Sequence, residues 1–311
     1  MAKLSLLVPV YFNENNLPTT IPTLQGILKQ LSETGVDGEL ICIDDGSRDR
    51  SFEILKEFAV QDQRIKLIRL VKNAGAHTAL LAGMDHATGD ALAIIMADLQ
   101  DPPELLLEMT QAWKNGSKIV IAARSEREDR FIDRIFAGLF WGFMRRLAVK
   151  SLPKGGFDFV LFDRAVKDLI IQTRERNSHL MVQILYTGFP STIIPYTRRM
   201  RRAGKSKWTF SKKLKLFIDS AIAFSHAPVR AMSILGILTA LAGFIFSVII
   251  LVQRFSIGAP VPGWTSLIVV VMILGGLQML MLGLIGEYLW RIFDESRDRP
   301  LYVAAEKINL S

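Results

Sequence analysis

Three stretches of this sequence end apolar runs with acidic residues in a pattern suited to chemistry. They are Pro9-Val10-Tyr11-Phe12-Asn13-Glu14, Asp44-Asp45-Gly46-Ser47-Arg48-Asp49 and Met96-Ala97-Asp98-Leu99-Gln100-Asp101-Pro102-Pro103. Carboxylates repel one another, so their convergence on one rim needs a compensating partner. A divalent cation supplies one, because hard cations take oxygen ligands from a carboxylate or two plus substrate phosphates. A nucleoside supplies another, since base N–H and sugar O–H groups donate to carboxylates. Taken singly, Asp45-Gly46-Ser47 reads as a turn and Asp101-Pro102-Pro103 as a helix start. Taken together at the ends of the first, second and fourth strands, they read as a nucleotide-phosphate site.

The elements that must position these residues are legible as an alternation. Residues 4–10, 39–43, 65–70, 91–96 and 119–123 are short apolar runs with the character of buried strands. Residues 17–31, 51–58, 77–87 and 104–113 carry helical spacing between them. Such alternation predicts an α/β fold, a mixed, mostly parallel sheet with helices on both faces. In sheets of this kind ligands bind beyond the carboxyl ends of the strands, where the acidic stretches fall.

Other site chemistries lack their residues. No G-x-G-x-x-G turn and no G-x-x-x-x-G-K-[ST] loop occurs, and His77, His86, His179 and His226 show no zinc-ligand spacing. The single cysteine, Cys42, sits within an apolar run and reads as a small core hydrophobe, consistent with a reducing compartment.

The last third of the 311 residues differs in kind. Residues 231–252 and 255–286 contain no charged side chain. About 20 apolar residues cross the hydrocarbon core of a bilayer as a helix, so spans are predicted over residues 231–252 and 265–289. Trp264 and Trp290 fall near the ends of the second, as interfacial aromatics do. Residues 211–229 form an amphipathic pattern, with Leu214, Phe217, Ile218, Ala221 and Ile222 on one face and Lys212, Lys213 and Lys215 at its start. That pattern predicts a helix lying in the headgroup layer. The expected organisation is a soluble domain over 1–210, the interfacial helix, two spans, and a tail over 290–311.

Met1 leads directly into a strand-like run without a leader pattern, so the soluble domain is expected to stay where it is made. Basic residues crowd before the first span and Arg291, Arg297 and Arg299 follow the second, which predicts both ends on the cytoplasmic side. The net charge of +8 is accounted for by attraction to anionic headgroups, and no nucleic-acid partner is implied. Gly236, Gly243, Gly275, Gly276 and Gly283 allow close helix packing and hence a homo-oligomer.

With these motifs in order, the chain resembles the family 2 glycosyltransferases of GT-A fold. More narrowly, it resembles the membrane-tailed bacterial polyprenyl-phosphate glucosyltransferases and dolichol-phosphate mannose synthase. The resemblance extends through Gly156-Phe157-Asp158-Phe159, Leu161-Phe162-Asp163-Arg164, Arg202-Ala203-Gly204-Lys205-Ser206-Lys207-Trp208 and both apolar spans. It implies inverting transfer of one sugar, glucose in this branch, from a UDP-sugar to undecaprenyl phosphate at a bacterial inner membrane.

The resemblance also implies roles. Pro9, Tyr11, Asn13, Glu14, Asp44 and Asp45 would surround the base and ribose. Asp98 and Gln100 would hold Mg²⁺ or Mn²⁺ on the diphosphate, and Asp101 would reach the sugar. Asp158 would orient or assist the acceptor. Arg124 and Arg134 would grip the acceptor phosphate, with Arg202 and Lys207 closing over the diphosphate. The chain departs from many relatives at Met96, where an acidic residue would be a further metal ligand. Two other readings remain at this point, a GDP-mannose-dependent transferase and a catalytically weak membrane-bound nucleotide-sugar sensor or scaffold. A processive synthase is disfavoured, because no Q-x-x-R-W sequence occurs.

Overall fold

The computed structural model describes residues 1–124, 142, 153, 157–175, 179–197, 227–257, 263–297 and 299–310. They form two units, residues Met1–Phe217 with Pro300–Ser311, and residues Ile218–Arg299.

The first unit is built on one sheet. Strands β1 (Ala2–Val10), β2 (Val36–Asp44), β3 (Ile65–Leu70) and β4 (Ala91–Ile94) alternate with helices α1 (Leu17–Glu33), α2 (Ser51–Gln61) and α3 (Ala76–His86). Then follow α4 (Leu105–Lys114), β5 (Ile119–Arg124), β6 (Phe159–Asp163), α5 (Arg164–Thr173), α6 (Leu180–Tyr186) and β7 (Ser191–Tyr196). A last strand, β8 (Ala304–Ile308), comes after the second unit in the chain. The order across the eight-stranded sheet is β7-β5-β6-β4-β1-β2-β3-β8. Pairing is parallel for β1 with β2 and β4, for β2 with β3 and for β5 with β7. It is antiparallel where β6 meets β4 and β5 and where β8 meets β3. This is the mixed, mostly parallel sheet that the alternation predicts.

Why the central strands form is plain from their residues. Leu4, Leu6, Leu7, Val8 and Val10 of β1 are completely buried, on both faces of the sheet, as parallel strands covered by helices must be. Helices α1, α2 and α4 share one face, where Leu17, Ile21, Leu24, Leu28 and Leu31 of α1 recur at helical spacing into the core. Helices α3 and α5 cover the other. Because β1 sends β2 and β3 to one side and receives β4 on the other, the chain reverses direction at β1. The crevice at that reversal is where open α/β sheets take ligands.

At the opposite ends of the strands lies a polar knot. The buried Glu39 carboxylate accepts from Ser5 Oγ at 2.5 Å and from Thr88 N and Oγ1, both at 2.8 Å. It also pairs with Lys3 Nζ at 2.7 Å and Lys66 Nζ at 2.9 Å. Burial pushes this carboxyl upward, yet the hydrogen bonds from Lys3, Ser5, Thr88 and Lys66 outweigh it and hold the pKa at about 2. One side chain thereby ties β1, β2, β3 and the α3–β4 loop together.

The second unit consists of α7 (Ala227–Ile257) and α8 (Trp264–Ser296). Each contains a stretch long and apolar enough to cross a membrane, Val229–Phe246 and Val270–Ser296, and neither stretch is buried within the protein. Large apolar side chains such as Phe244, Met272 and Met279 stand exposed along them. Both helices outrun the spans expected from charge-free sequence, because polar residues at their ends still continue the helical backbone. The expected interfacial helix at 211–229 falls almost wholly outside the described residues. The expected tail is structured: residues through Ser296 prolong α8 and residues 304–308 are β8.

Candidate active site

The loops after β1 and β2 are laced into one surface. Asp45 N donates to Val10 O at 2.9 Å, Phe12 N to Ser47 Oγ at 3.1 Å and Asn13 N to Ser51 Oγ at 2.9 Å. Tyr11 N donates to the Asn13 carboxamide at 3.0 Å, and Arg50 N to Glu14 Oε2 at 3.0 Å. The outcome is an exposed aromatic pair at the crevice, Tyr11 edge-on to Phe12 with ring centroids 4.6 Å apart. Phe12 pays for this with a left-handed backbone, φ 55°, a conformation that bulky residues avoid. Pro9 lies half-buried at the end of the same strand.

The β2 carboxylates face inward. Asp44 is wholly buried, accepts from Ser47 N at 3.2 Å and lies 3.6 Å from Arg69 Nε. Asp45 accepts from Ala74 N at 2.7 Å on one oxygen and from Gly75 N at 3.0 Å on the other. Burial raises the pKa of both against these donors. Asp49 likewise accepts from Ser51 N and Glu14 N. Much of the expected like-charge conflict is therefore relieved by backbone amides. Gly46 makes the close approach possible: φ is 69°, and an added Cβ would lie 2.7 Å from the Lys72 carbonyl carbon.

The turn after β4 carries Asp98, Gln100 and Asp101. Asp98 is half-buried and accepts a long 3.4 Å contact from Gln100 N within this turn. Leu99 between them is left-handed, φ 45°, which puts two oxygen-bearing side chains on either side of a tight bend. One carboxylate and one carboxamide suit a cation that draws its other ligands from diphosphate and water. Among the described residues no cluster of three or more acidic, His or Cys side chains could hold a metal, consistent with Met96 standing two positions before Asp98.

Asp158 reaches the same rim by a different route. Because β6 runs antiparallel to its neighbours, its amino end lies beside the carboxyl ends of β4 and β5. Asp158, immediately before β6, forms an ion pair with Arg124, the last residue of β5. Arg124 Nε is 3.4 Å from Tyr196 Oη and 3.9 Å from Asp101 Oδ1, and Tyr196 donates its hydroxyl to Asp101. Burial would lower the Arg124 pKa, but Asp158, Tyr196 and Asp101 raise it, so it stays charged. Tyr196 is pushed up by burial and by Asp101, so it stays protonated and can donate. The enclosed His179, which feels the Asp158 charge, is held neutral, its pKa lowered by burial to about 4.

The structure thus brings the expected residues together in two groups, one on β1, β2 and the β4 turn, the other on β5, β6 and β7 with Asp101. Arg134, Arg202 and Lys207 lie outside the described residues. Tyr196, Ser47 and Ser51 escaped sequence reasoning. The two serines sit in plain view beside the β2 acids, but the bonds they accept come from a loop more than 30 positions away. Nothing in the sequence marks Tyr196.

Comparison with known proteins agrees with this arrangement. The glycosyl transferase family 2 model matches residues 5–166. The chain is 38% identical over 307 residues to the uncharacterized glycosyltransferase YkcC of Bacillus subtilis strain 168, covering 98% of this chain and 94% of that protein. It is 33% identical over 302 residues to the bactoprenol glucosyl transferase of Shigella phage SfV, covering 97% of each. It is 33% identical over 302 residues to the prophage bactoprenol glucosyl transferase homolog of Escherichia coli strain K12, covering 97% of this chain and 98% of that one. A parallel-sheet crevice with acidic strand ends, together with likeness over nearly the whole chain, makes this protein a member of glycosyl transferase family 2.

Proposed function

We propose that the protein transfers one glucose from UDP-glucose to undecaprenyl phosphate at the cytoplasmic face of a bacterial inner membrane. The observation that carries this reading is likeness over 97% of the chain, the two apolar helices included, to bactoprenol glucosyl transferases. An acceptor buried in lipid explains why a sheet enzyme carries such helices at all.

In this reading an oxygen of the lipid phosphate attacks the anomeric carbon, and the bond to the diphosphate breaks with inversion. UDP leaves with the bonding electrons. The acceptor is largely dianionic near neutrality, so no strong base is required. Asp158 would orient it, with Arg124 and Arg134 gripping its oxygens through their planar forks. Tyr11 offers a ring face to the base, and Asp101 stands near the sugar. Asp98 and Gln100 would hold Mg²⁺ or Mn²⁺, which when bound stabilises charge on the departing diphosphate. Arg202 and Lys207 would close over that diphosphate.

The pairing of β8 with β3 supports the topology. The chain leaves the sheet unit before α7 and rejoins the same sheet after α8. In this reading both flanks of the helix pair lie on one side, as an even number of crossings requires, and the basic flanks favour the cytoplasm as that side.

The test is transfer of radiolabel from UDP-glucose, other UDP-sugars and GDP-mannose into an organic-extractable product, with purified protein and undecaprenyl phosphate. A glucosyl lipid, lost on chelation, is the expected result. A mannosyl lipid alone would establish the GDP-mannose reading instead, and no lipid product from any donor would leave the sensor reading. In the same assay Arg124→Gln raises the acceptor KM about tenfold or more, the cost of a lost charge-assisted bond, while the donor KM holds. A collapse in UDP affinity would refute the placement of Arg124.

A further inference from the structure

The bonded chain Asp101–Tyr196–Arg124–Asp158 is graded in exposure. Asp101 is 1% exposed, Tyr196 7%, and the Arg124 side chain 8%, whereas the Asp158 side chain is 45% exposed. Its inner three members are fixed by the sheet. Arg124 and Tyr196 are register partners at the ends of the parallel strands β5 and β7, and Asp101 enters from the β4 turn. Its outer member is joined to the chain by an arginine terminal nitrogen.

We propose that Tyr196 is a positioning residue of the acceptor half of the site. Its hydroxyl seats the inner edge of the Arg124 guanidinium, so that the face now held by Asp158 is offered to the acceptor phosphate. The inference rests on the transfer reading above, in which Arg124 meets that phosphate.

The chemistry follows from the geometry. An arginine side chain has about 2 kcal/mol of rotamer entropy to lose on being fixed. Anchoring Nε against the phenol and Asp101 spends that entropy in folding rather than in binding. One terminal nitrogen, Nη2, then holds Asp158. A phosphate dianion carries more charge than a carboxylate and accepts bidentately from the same fork. It can therefore replace Asp158 on Arg124, and the displaced, half-exposed carboxylate remains beside the incoming oxygen. Tyr196 suits its place because it both donates to Asp101 and accepts from Arg124. A phenylalanine fills the same volume and does neither.

The experiment is Tyr196→Phe in the full-length protein, assayed for glucosyl transfer with both substrates varied. The expected result is an acceptor KM raised about tenfold with the donor KM unchanged. Tyr302→Phe, which loses a comparable hydroxyl bond to Asp85 at 2.8 Å away from the site, controls for stability and leaves both KM values alone. Acting through arginine has a further signature: on an Arg124→Lys background, which lacks Nε, Tyr196→Phe has no further effect on acceptor KM. Unchanged kinetics with a lowered melting temperature would reduce Tyr196 to a packing residue, and a raised donor KM would place it on the wrong substrate. If Arg124→Gln itself left acceptor KM unchanged, the acceptor reading would fail. If Arg124→Gln raised it and Tyr196→Phe did not, only the positioning role would. Should Tyr196→Phe fold poorly, equilibrium binding of a short-chain polyprenyl phosphate to the folded fraction gives the same discrimination.

Discussion

Asp98→Ala lowers turnover by about 10² or more at saturating donor, the loss expected when charge stabilisation at a leaving group is removed. The effect is large because Asp98 is the charged member of the pair proposed to hold the cation. In the loop after β2, Asp45 and Asp49 accept from backbone amides on both oxygens, and Asp101 of the β4 turn accepts from the Tyr196 hydroxyl. Met96, two positions before Asp98, brings no carboxylate. Asp98 is thus the one carboxylate of the Asp98–Gln100 pair, and without it Gln100 offers only a neutral oxygen. A second readout separates metal binding from catalysis. Mn²⁺ with UDP raises the melting temperature of the native protein, and the increment disappears in Asp98→Ala. A variant that kept its turnover would remove the metal assignment altogether.

Glu39→Ala destabilises the sheet unit by about 3–5 kcal/mol, the cost of deleting one partner from a buried ion pair. The substitution strands Lys66, whose side chain is only 14% exposed, and leaves Thr88 N and Ser5 without their acceptor. Against a total stability of about 5–15 kcal/mol such a loss is severe. The same network has a pH signature. Its folded pKa of about 2 lies below the ordinary 4.5, so the stabilisation is fully present above pH 4.5 and is lost as pH falls towards 2. The shift corresponds to about 3 kcal/mol. Denaturant unfolding between pH 2.5 and 6 shows this slope in the native chain, and Glu39→Gln flattens it by that amount. Equal slopes in the two proteins would mean that other carboxylates govern acid unfolding.

Both predictions bear on what a sequence can and cannot disclose. The strands around β1 were legible because burial on both faces demands nearly continuous apolar runs, and between Leu4 and Val8 only Ser5 breaks the run. Strand β7 was not. As an edge it buries only Ile194 and Tyr196, exposes Ile193, and carries Pro195, so it shows neither a full run nor a clean alternation. Strand β8 was hidden for a similar reason, being five residues long behind a helix that dominates its neighbourhood. At the site, the acidic strand ends marked out the crevice. What each acid does there was unreadable, because it depends on partners far along the chain. The amides that occupy Asp45 come from Ala74 and Gly75, and the hydroxyl on Asp101 comes from Tyr196. Glu39 offered no clue, since a lone acid in an apolar run resembles a strand boundary until its two lysines are seen.

The closing strand β8 also sets a schedule for biosynthesis. Its bond from Lys56 to Glu306 spans 250 positions, and both apolar helices are made in between. While they emerge, β3 is an open edge whose N–H and C=O groups can pair with any other strand at hand. Domains fold as their residues leave the ribosome, so the sheet waits, one strand short, until the helices have been made. Helix synthesis is thereby a prerequisite for a finished sheet. Chains arrested between β3 and β8 leave that edge of the sheet unpaired.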